Sequence, residues 1–268
     1  MALLKVATWN VNGIRAREAQ VLEWTERERP DVICLQEIKS TVAQVPAALC
    51  ELQGYHCYWH GARAYAGVGL HIRRDAFAEE PVFRHPQFDF ETRIVTAQIG
   101  DLIFSSIYVP NGGKDFTAKM QFLRQLETFI TETHARGMRM VLCGDINIAR
   151  SERDVHPKER NPKLVGQRPE EREIFQSILA RGLVDVGRAL DPDNDNLFTW
   201  WAPWRKLRER NIGWRIDYVL ASESLAAKAI GCNAYREVGT SDHAPVVAVF
   251  DLNNGVSSAR ELINKKAD

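Results

Sequence analysis

No run in this chain approaches the roughly 20 consecutive apolar residues of a membrane-spanning helix, so no membrane association is expected. Neither sign of charge is in excess: 35 Lys and Arg balance 35 Asp and Glu. That balance argues against indiscriminate coating of nucleic acid but leaves room for a local basic groove. Cysteine is sparse and odd in number, five in all, with no Cys-x-x-Cys pair. Cys34 and Cys143 sit inside apolar, strand-like runs and read as core residues, so reduced thiols in a reducing compartment are expected. The opening Met1-Ala2-Leu3-Leu4-Lys5 moves straight into a strand pattern, without the charged and apolar regions of a secretory leader, which points to the cytoplasm. No linker rich in Gly, Pro or Ser and no low-complexity run occurs before residue 253. A single domain over residues 1–252 is expected, with 253–268 a polar tail that either holds a short helix or is disordered.

What is present fits an ordinary globular protein of 268 residues, 45% hydrophobic and 26% charged. A chain of this length buries about three-quarters of its unfolded surface and needs no staples. Short apolar runs predict strands at Leu4–Thr8, Val32–Leu35, Gly67–Ile72, Ile94–Ile99, Leu102–Val109, Met140–Cys143, Ile216–Leu220 and Val246–Phe250. Helical spacing predicts helices over Glu18–Arg29, Thr117–Arg136 and Pro169–Arg181, with Pro30 and Gly182 as stop signals. Helices alternate with strands, yet some strands follow one another directly, so mixed sheets with hairpins are expected.

Four strand ends carry acids or amides where a buried strand meets solvent. The last is the most informative: Thr240-Ser241-Asp242-His243-Ala244-Pro245 leads into the apolar run Val246–Phe250. Upstream stand Trp9-Asn10-Val11-Asn12-Gly13, Leu35-Gln36-Glu37 and Gly144-Asp145-Ile146-Asn147. A hard cation prefers oxygen ligands, and Glu37 at the rim of an apolar strand suits one; a helix N-terminal acid or a surface charge would look the same. Asp145 and Asn147, two apart, share a face in extended backbone and suit a water-activating carboxylate and a phosphate donor, although Gly, Asp and Asn also make turns. Asn10 suits orienting Asp145 or binding metal through water, and Asn12-Gly13 is equally a turn signal. His243 can carry charge near neutral pH and stabilise a pentacovalent phosphate, with Asp217 in Trp214-Arg215-Ile216-Asp217-Tyr218 as the candidate to orient it. Asp242 points to the opposite face from His243 and is a candidate metal ligand. Tyr108 ends a strand, and its hydroxyl is either a phosphate contact or simply packed. Phe198-Thr-Trp-Trp-Ala-Pro-Trp-Arg-Lys-Leu-Arg-Glu-Arg interleaves Trp200, Trp201 and Trp204 with Arg205, Lys206, Arg208 and Arg210. Such a segment suits phosphates and exposed bases, or a core aromatic cluster beside a solvated basic turn.

Taken in order, nine segments resemble the exonuclease III family of apurinic/apyrimidinic endonucleases, within the endonuclease/exonuclease/phosphatase superfamily. They are Trp-Asn-Val-Asn-Gly-Ile-Arg at 9–15, Asp-Val-Ile-Cys-Leu-Gln-Glu-Ile-Lys at 31–39 and Tyr-x-Gly-Val-Gly at 65–69. Then come Tyr-Val-Pro-Asn-Gly at 108–112, Gly-Asp-Ile-Asn-Ile-Ala at 144–149 and Pro-Glu-Glu-Arg at 169–172. Gly-Leu-Val-Asp at 182–185, Gly-Trp-Arg-Ile-Asp-Tyr at 213–218 and Ser-Asp-His-Ala-Pro at 241–245 complete the set, so the likeness covers residues 3–252.

The resemblance implies a four-layer α/β sandwich: two packed mixed sheets flanked by helices. It implies a DNA repair enzyme that hydrolyses the phosphodiester 5′ to an abasic site in duplex DNA, leaving a 3′-hydroxyl. Cleavage would depend on magnesium, with manganese as an alternative, and 3′–5′ exonuclease and 3′-phosphodiesterase or phosphatase activities would accompany it. The expected partner is duplex DNA with abasic or 3′-blocked sites, and the expected state is a monomer. Glu37 becomes the principal metal ligand in a set drawn from Asn10, Glu37, Asp145, Asn147 and Asp242. Asp145 would align or deprotonate water with support from Asn147, Asp217 would pair with His243, and Tyr108 would contact phosphate. DNA contacts would come from Asn12, Arg15, Lys39, Tyr65, Lys114, Asn161 and Arg205. Trp200, Trp214 and Ile216 would line the pocket of a flipped abasic sugar, with Trp204 as a wedge. One family Asn near that pocket falls on Leu164 here. Superfamily phosphatases of inositol phosphates, sphingomyelinases and RNA deadenylases share the acidic motifs, and a non-catalytic DNA-binding module is a further alternative. The Trp- and Arg-rich segment favours DNA.

Overall fold

In the computed structural model, residues 3–62 and 64–253 are described; the polar tail foreseen over 253–268 lies, apart from Asn253, outside them. The order is β1 (Leu3–Asn10), α1 (Ile14–Glu28), β2 (Val32–Gln36), α2 (Ala47–Cys50), β3 (Tyr55–His60), β4 (Val68–Arg73), β5 (Val82–Arg84) and β6 (Ile94–Ile99). Then follow β7 (Leu102–Tyr108), α3 (Phe116–Ala135), β8 (Arg139–Asp145), α4 (Pro169–Leu179), β9 (Leu183–Asp185) and α5 (Val186–Leu190). The last elements are β10 (Asp217–Ser222), α6 (Glu223–Ala226), β11 (Ala229–Ala234) and β12 (Val246–Asp251). Two six-stranded sheets result, ordered β11-β12-β1-β2-β4-β3 and β5-β6-β7-β8-β10-β9. Both are mixed: β1 runs parallel to β2 and β7 parallel to β8, while the other pairings are antiparallel.

The two-residue period of a strand decides the layering. Val6, Val32, Cys34, Phe104, Val141 and Cys143 point into the space between the sheets and form its core. Their alternates face outward. Ala7, Trp9, Ile33 and Leu35 meet Val21 and Trp24 of α1 and Leu49 of α2. Ile103, Ile107, Met140 and Leu142 meet Phe122, Leu126 and Ile130 of α3 and Phe175 and Ile178 of α4. Helix, sheet, sheet and helix are thus four layers, and central strands are apolar on both faces. Each large apolar side chain buried this way contributes about 1.5–3 kcal/mol.

The topology brings chemistry to one edge. β1 and β2 end together, with Asn10 opposite Gln36. β7 and β8 end together, with Tyr108 opposite Asp145, and antiparallel β10 begins there, with Asp217 opposite Asp145. Gly144 allows the close pairing: a Cβ there would collide with the Ile107 carbonyl oxygen, and its φ of +152° is outside the usual range of L side chains. All five cysteines are free thiols, Cys34 and Cys143 buried in the inter-sheet core. Among the described residues, no helix is long and apolar enough to cross a membrane.

Candidate active site

Asn10 ties the two halves of the site together. Its Nδ2 donates to Glu37 Oε1 and to Asp145 Oδ2, each at 2.9 Å, joining a strand end of one sheet to a strand end of the other. Its Oδ1 accepts from the Asn12 backbone N–H at 3.0 Å, so the amide is oriented as a bridge between carboxylates. Glu37 follows the last residue of β2 and is left-handed at φ +49°, as are Asn12 (+45°), Lys39 (+49°) and Asn147 (+55°). Such backbone costs a non-glycine residue roughly 1 kcal/mol, and here it clusters where the strand ends turn their polar side chains into a common space. The segment is fastened to its neighbour: Gly13 N–H donates to the Glu37 carbonyl at 2.7 Å and Ile14 N–H to the Ile38 carbonyl at 3.0 Å.

One ligand atom each from Glu37, Asp145 and His243 lies within 4.8 Å of the others. His243 Nδ1 is 2.9 Å from Asp217 Oδ2, and its Nε2 is 3.9 Å from Asp145 Oδ2. Thr199 holds Asp217 in turn, its hydroxyl donating to Oδ2 at 2.6 Å while accepting from the N–H groups of Ile216 and Asp217 at 3.1 Å. Burial alone would push the His243 imidazolium pKa down, but Asp217, Asp145 and Asp242 outweigh it and raise the value to about 10. Burial, reinforced by Asp217 and Glu37, pushes the Asp145 carboxyl up to about 8 against the pull of His243. Glu37 is held below its usual range although burial opposes this, because Asn10, Lys39 and His243 favour its anion. Burial is also what drives the Tyr108 phenol upward, helped by Glu37 and Asp145.

These carboxylates crowd one another with a single imidazolium between them, and the atoms they offer are oxygens. That is the donor set and charge deficit a hard divalent cation fits, with Glu37 and Asp145 as the residues to hold it. Asp242 is not part of the convergent three: its oxygens accept from Asn12 Nδ2 at 2.7 Å and Trp200 Nε1 at 3.0 Å. Asn147 departs from the extended geometry expected of it. β8 ends at Asp145, and the Asn147 N–H turns back onto Asp145 Oδ1 at 2.9 Å, while its side chain spans the Asn111 amide and the Val109 carbonyl. The pair therefore shares a turn, not a strand face.

The expected DNA contacts divide. Lys39 is turned inward, 2.8 Å from Glu37 Oε2 and 2.5 Å from Asn12 Oδ1, because two anionic or amide acceptors lie beside it. Arg15, Lys114, Asn161, Trp204 and Arg205 are exposed at the surface. Tyr65 is exposed too, and its hydroxyl accepts from Arg93 at 3.1 Å. Trp200, Trp214 and Ile216 form an apolar cluster with Ala149 and Val155. Trp200 meets Trp214 edge-on at 5.5 Å and lies 6.4 Å from the His243 ring. Gly213 permits this, since a Cβ there would strike the Trp200 carbonyl. Two members of the Trp-Arg segment are structural: Trp201 is buried, and Arg208 over its ring donates to the carbonyls of Arg236, Val238 and Ser241.

The sequence matches the Endonuclease/Exonuclease/phosphatase family over residues 7–243. The chain belongs to this family. It is 32% identical over 256 residues to the exodeoxyribonuclease of Bacillus subtilis, covering 93% of this chain and 100% of that one. Its fold matches the AP endonuclease from Archaeoglobus fulgidus with a TM-score of 0.84 at 31% identity, covering 93% of this chain and 100% of the other. It likewise matches the 3′–5′ exonuclease NExo from Neisseria meningitidis, TM-score 0.85 at 31% identity, covering 92% and 100%. Together these place the family member in the exonuclease III branch.

Three supports of the family site escaped sequence reasoning. Ser241 donates to the Asn10 carbonyl at 2.7 Å and accepts from the His243 N–H at 3.3 Å. Thr199 was hidden inside the tryptophan-rich segment. Lys119 is fully buried on α3, donating to the carbonyls of Asn147 at 2.8 Å and Asn111 at 3.1 Å, with Glu171 of α4 at 2.5 Å. A lysine on the apolar stripe that carries Phe122, Leu123, Leu126 and Ile130 was the available signal.

Proposed function

We propose that this family member is a DNA repair nuclease that hydrolyses the phosphodiester 5′ to an abasic site in duplex DNA, leaving a 3′-hydroxyl, and that the same centre processes 3′ ends. The observation that carries the reading is the Asn10 bridge between Glu37 and Asp145, beside a His243 made cationic by Asp217. Water attacks phosphorus in line and passes its proton to Asp145, whose Oδ2 lies 3.9 Å from His243 Nε2. The His243 imidazolium donates from Nε2 to a non-bridging phosphoryl oxygen as charge accumulates there. The bond from phosphorus to the 3′ oxygen breaks, that oxygen takes up a proton from solvent as the 3′-hydroxyl, and Asp145 later returns its proton to solvent. A magnesium ion held by Glu37 and Asp145 would supply charge neutralisation to the developing phosphorane. The Trp200–Trp214–Ile216 cluster, next to His243, supplies an apolar wall against which a baseless sugar fits. Such a nucleotide has no base to unstack, so its extrusion is cheap.

The name of the Bacillus relative and the 3′–5′ exonuclease activity of the Neisseria protein support the 3′-end activity. The test is a labelled duplex with one abasic analogue beside an undamaged duplex with a recessed end, each with magnesium and with EDTA. A polymerase-extendable nick directly 5′ to the lesion, absent with EDTA, is the expected result. Binding without cleavage, or hydrolysis of inositol phosphates in preference to DNA, would overturn the reading.

A further inference from the structure

A second convergence of ligating side chains lies outside the catalytic edge. One ligand atom each from His60, His85 and Asp89 lies within 4.8 Å of the others. The three come from separate places: His60 ends β3 in one sheet, His85 follows β5 at the edge of the other, and Asp89 sits in the connection to β6. The imidazoles stack with ring centroids 3.7 Å apart, and His60 Nε2 lies 2.5 Å from Asp89 Oδ2.

Two of the three groups have a second contact that orients them. Asp89 Oδ1 accepts from the N–H groups of Arg93 at 2.8 Å and Ile94 at 3.1 Å, leaving Oδ2 for the histidines. His85 Nδ1 faces the Ile94 carbonyl at 3.5 Å, which leaves Nε2, 2.7 Å from the Tyr58 hydroxyl, as the nitrogen a metal would take over from that hydroxyl. Metal-binding histidines are ordinarily oriented by such a carbonyl, and ligating carboxylates by hydrogen bonds to their other oxygen. Two imidazole nitrogens and one carboxylate oxygen are a borderline-soft set. They suit zinc and its neighbours in the first transition row, not the hard cation that fits the oxygen-rich catalytic edge.

We propose that His60, His85 and Asp89 form a transition-metal site, with zinc as the fitting ion, that clips the edges of the two sheets together. The hydrogen-bonded form is the metal-free partner of that site. Replacing the shared proton by zinc requires the His60 nitrogen and the Asp89 oxygen to part to about 3.3 Å, the ligand separation set by bonds near 2 Å in a tetrahedron. Side-chain rotation of the exposed His85 and the partly buried His60 provides that movement. The clip also braces the loop that carries Arg93, whose guanidinium lies 4.8 Å from the centre of the Tyr108 ring.

Zinc also binds carboxylates at the catalytic edge, so the experiment uses the full chain carrying Glu37→Gln and Asp145→Asn to silence that centre. Zinc chloride is titrated by calorimetry into this background and into the same background with His85→Ala or with His60→Gln. Cobalt(II) is added in parallel, because its visible absorption reports a tetrahedral nitrogen-oxygen site. The proposal expects one zinc per chain in the background, a rise in melting temperature, and an intense cobalt spectrum. Each histidine substitution should weaken binding by about 100-fold or more while circular dichroism stays unchanged. Equal stoichiometry and affinity with and without the histidines, or no binding in the background, would overturn it. The cluster would then be only a hydrogen-bonded group.

Discussion

Asp217 Oδ2 lies 2.9 Å from His243 Nδ1, with both side chains buried between the sheet edge and the tryptophan segment. The contact fixes which nitrogen faces the cleft, and the carboxylate charge keeps the ring protonated. Asp217→Asn preserves the shape but removes that charge, so the imidazolium loses its counterion in a buried place. Turnover on an abasic duplex should fall by about 10²- to 10³-fold, the range of a lost hydrogen-bond donor to the charge that develops in the transition state. The melting temperature should fall too, since a buried imidazolium loses its counterion, so turnover is compared well below it with circular dichroism confirming the fold. Full activity in Asp217→Asn would show that His243 acts neutral or not at all.

The sequence made the interior strands legible and the margins obscure. Ile94–Ile99 was foreseen with its observed bounds, and the other interior strands within two residues, because strands covered on both faces are continuous apolar runs. β3, β5, β9 and β11 went unread, and they are the four sheet edges. An edge strand needs less apolar surface: β11, Ala-Ile-Gly-Cys-Asn-Ala, holds a Gly and an Asn that weaken any strand pattern. Helix α1 starts at Ile14, four residues before the expected Glu18, since Gly13 opens it without a side-chain cap. At the site, the acids and the imidazole were visible as strand-end motifs. Orienting Asp145 was one of the two roles open to Asn10, and its amide does donate to Asp145; that the same Nδ2 also donates to Glu37 and so joins the two carboxylates left no local pattern.

The buried Lys119–Glu171 pair gives a stability prediction with an internal control. Lys119→Met strands a buried carboxylate and two carbonyls, and should destabilise by about 3–5 kcal/mol. Adding Glu171→Gln removes the orphaned charge while keeping an acceptor for the Gly166 and Arg168 N–H groups, so much of that loss should return. Urea denaturation of both variants measures it. Equal destabilisation would mean that the carbonyl contacts, not the charge pair, carry the effect.

His71 sets a pH dependence that does not involve the catalytic edge. It is buried on β4 with neither ring nitrogen partnered, and burial pushes its pKa down to about 3. In the unfolded chain it titrates near 6.5, so between these values the unfolded state binds the extra proton. Stability is then full above about pH 6.5 and falls as pH drops toward 3. From roughly pH 7.5 to pH 5 the loss from this residue should be about 2 kcal/mol. His71→Leu should flatten that part of the urea-midpoint profile; an unchanged slope would mean the ring is protonated or hydrated in the fold.

Trp204 tests the substrate face, because its ring is 60% exposed and supports little of the fold. Substituting it should change stability by no more than about 0.5 kcal/mol, as for an ordinary surface residue. A ring that inserts beside a lesion contributes about 1–3 kcal/mol of stacking, which corresponds to roughly a 5- to 150-fold change in binding. Trp204→Ala should therefore lower kcat/KM on an abasic duplex by about tenfold or more, with the melting temperature unmoved. The neighbouring Trp201→Ala, which empties a buried position under Arg208, should instead lower the melting temperature first. If Trp204→Ala cuts abasic duplex at the parental rate, the exposed ring does not meet DNA, and the contact surface must be sought nearer Trp200 and Trp214.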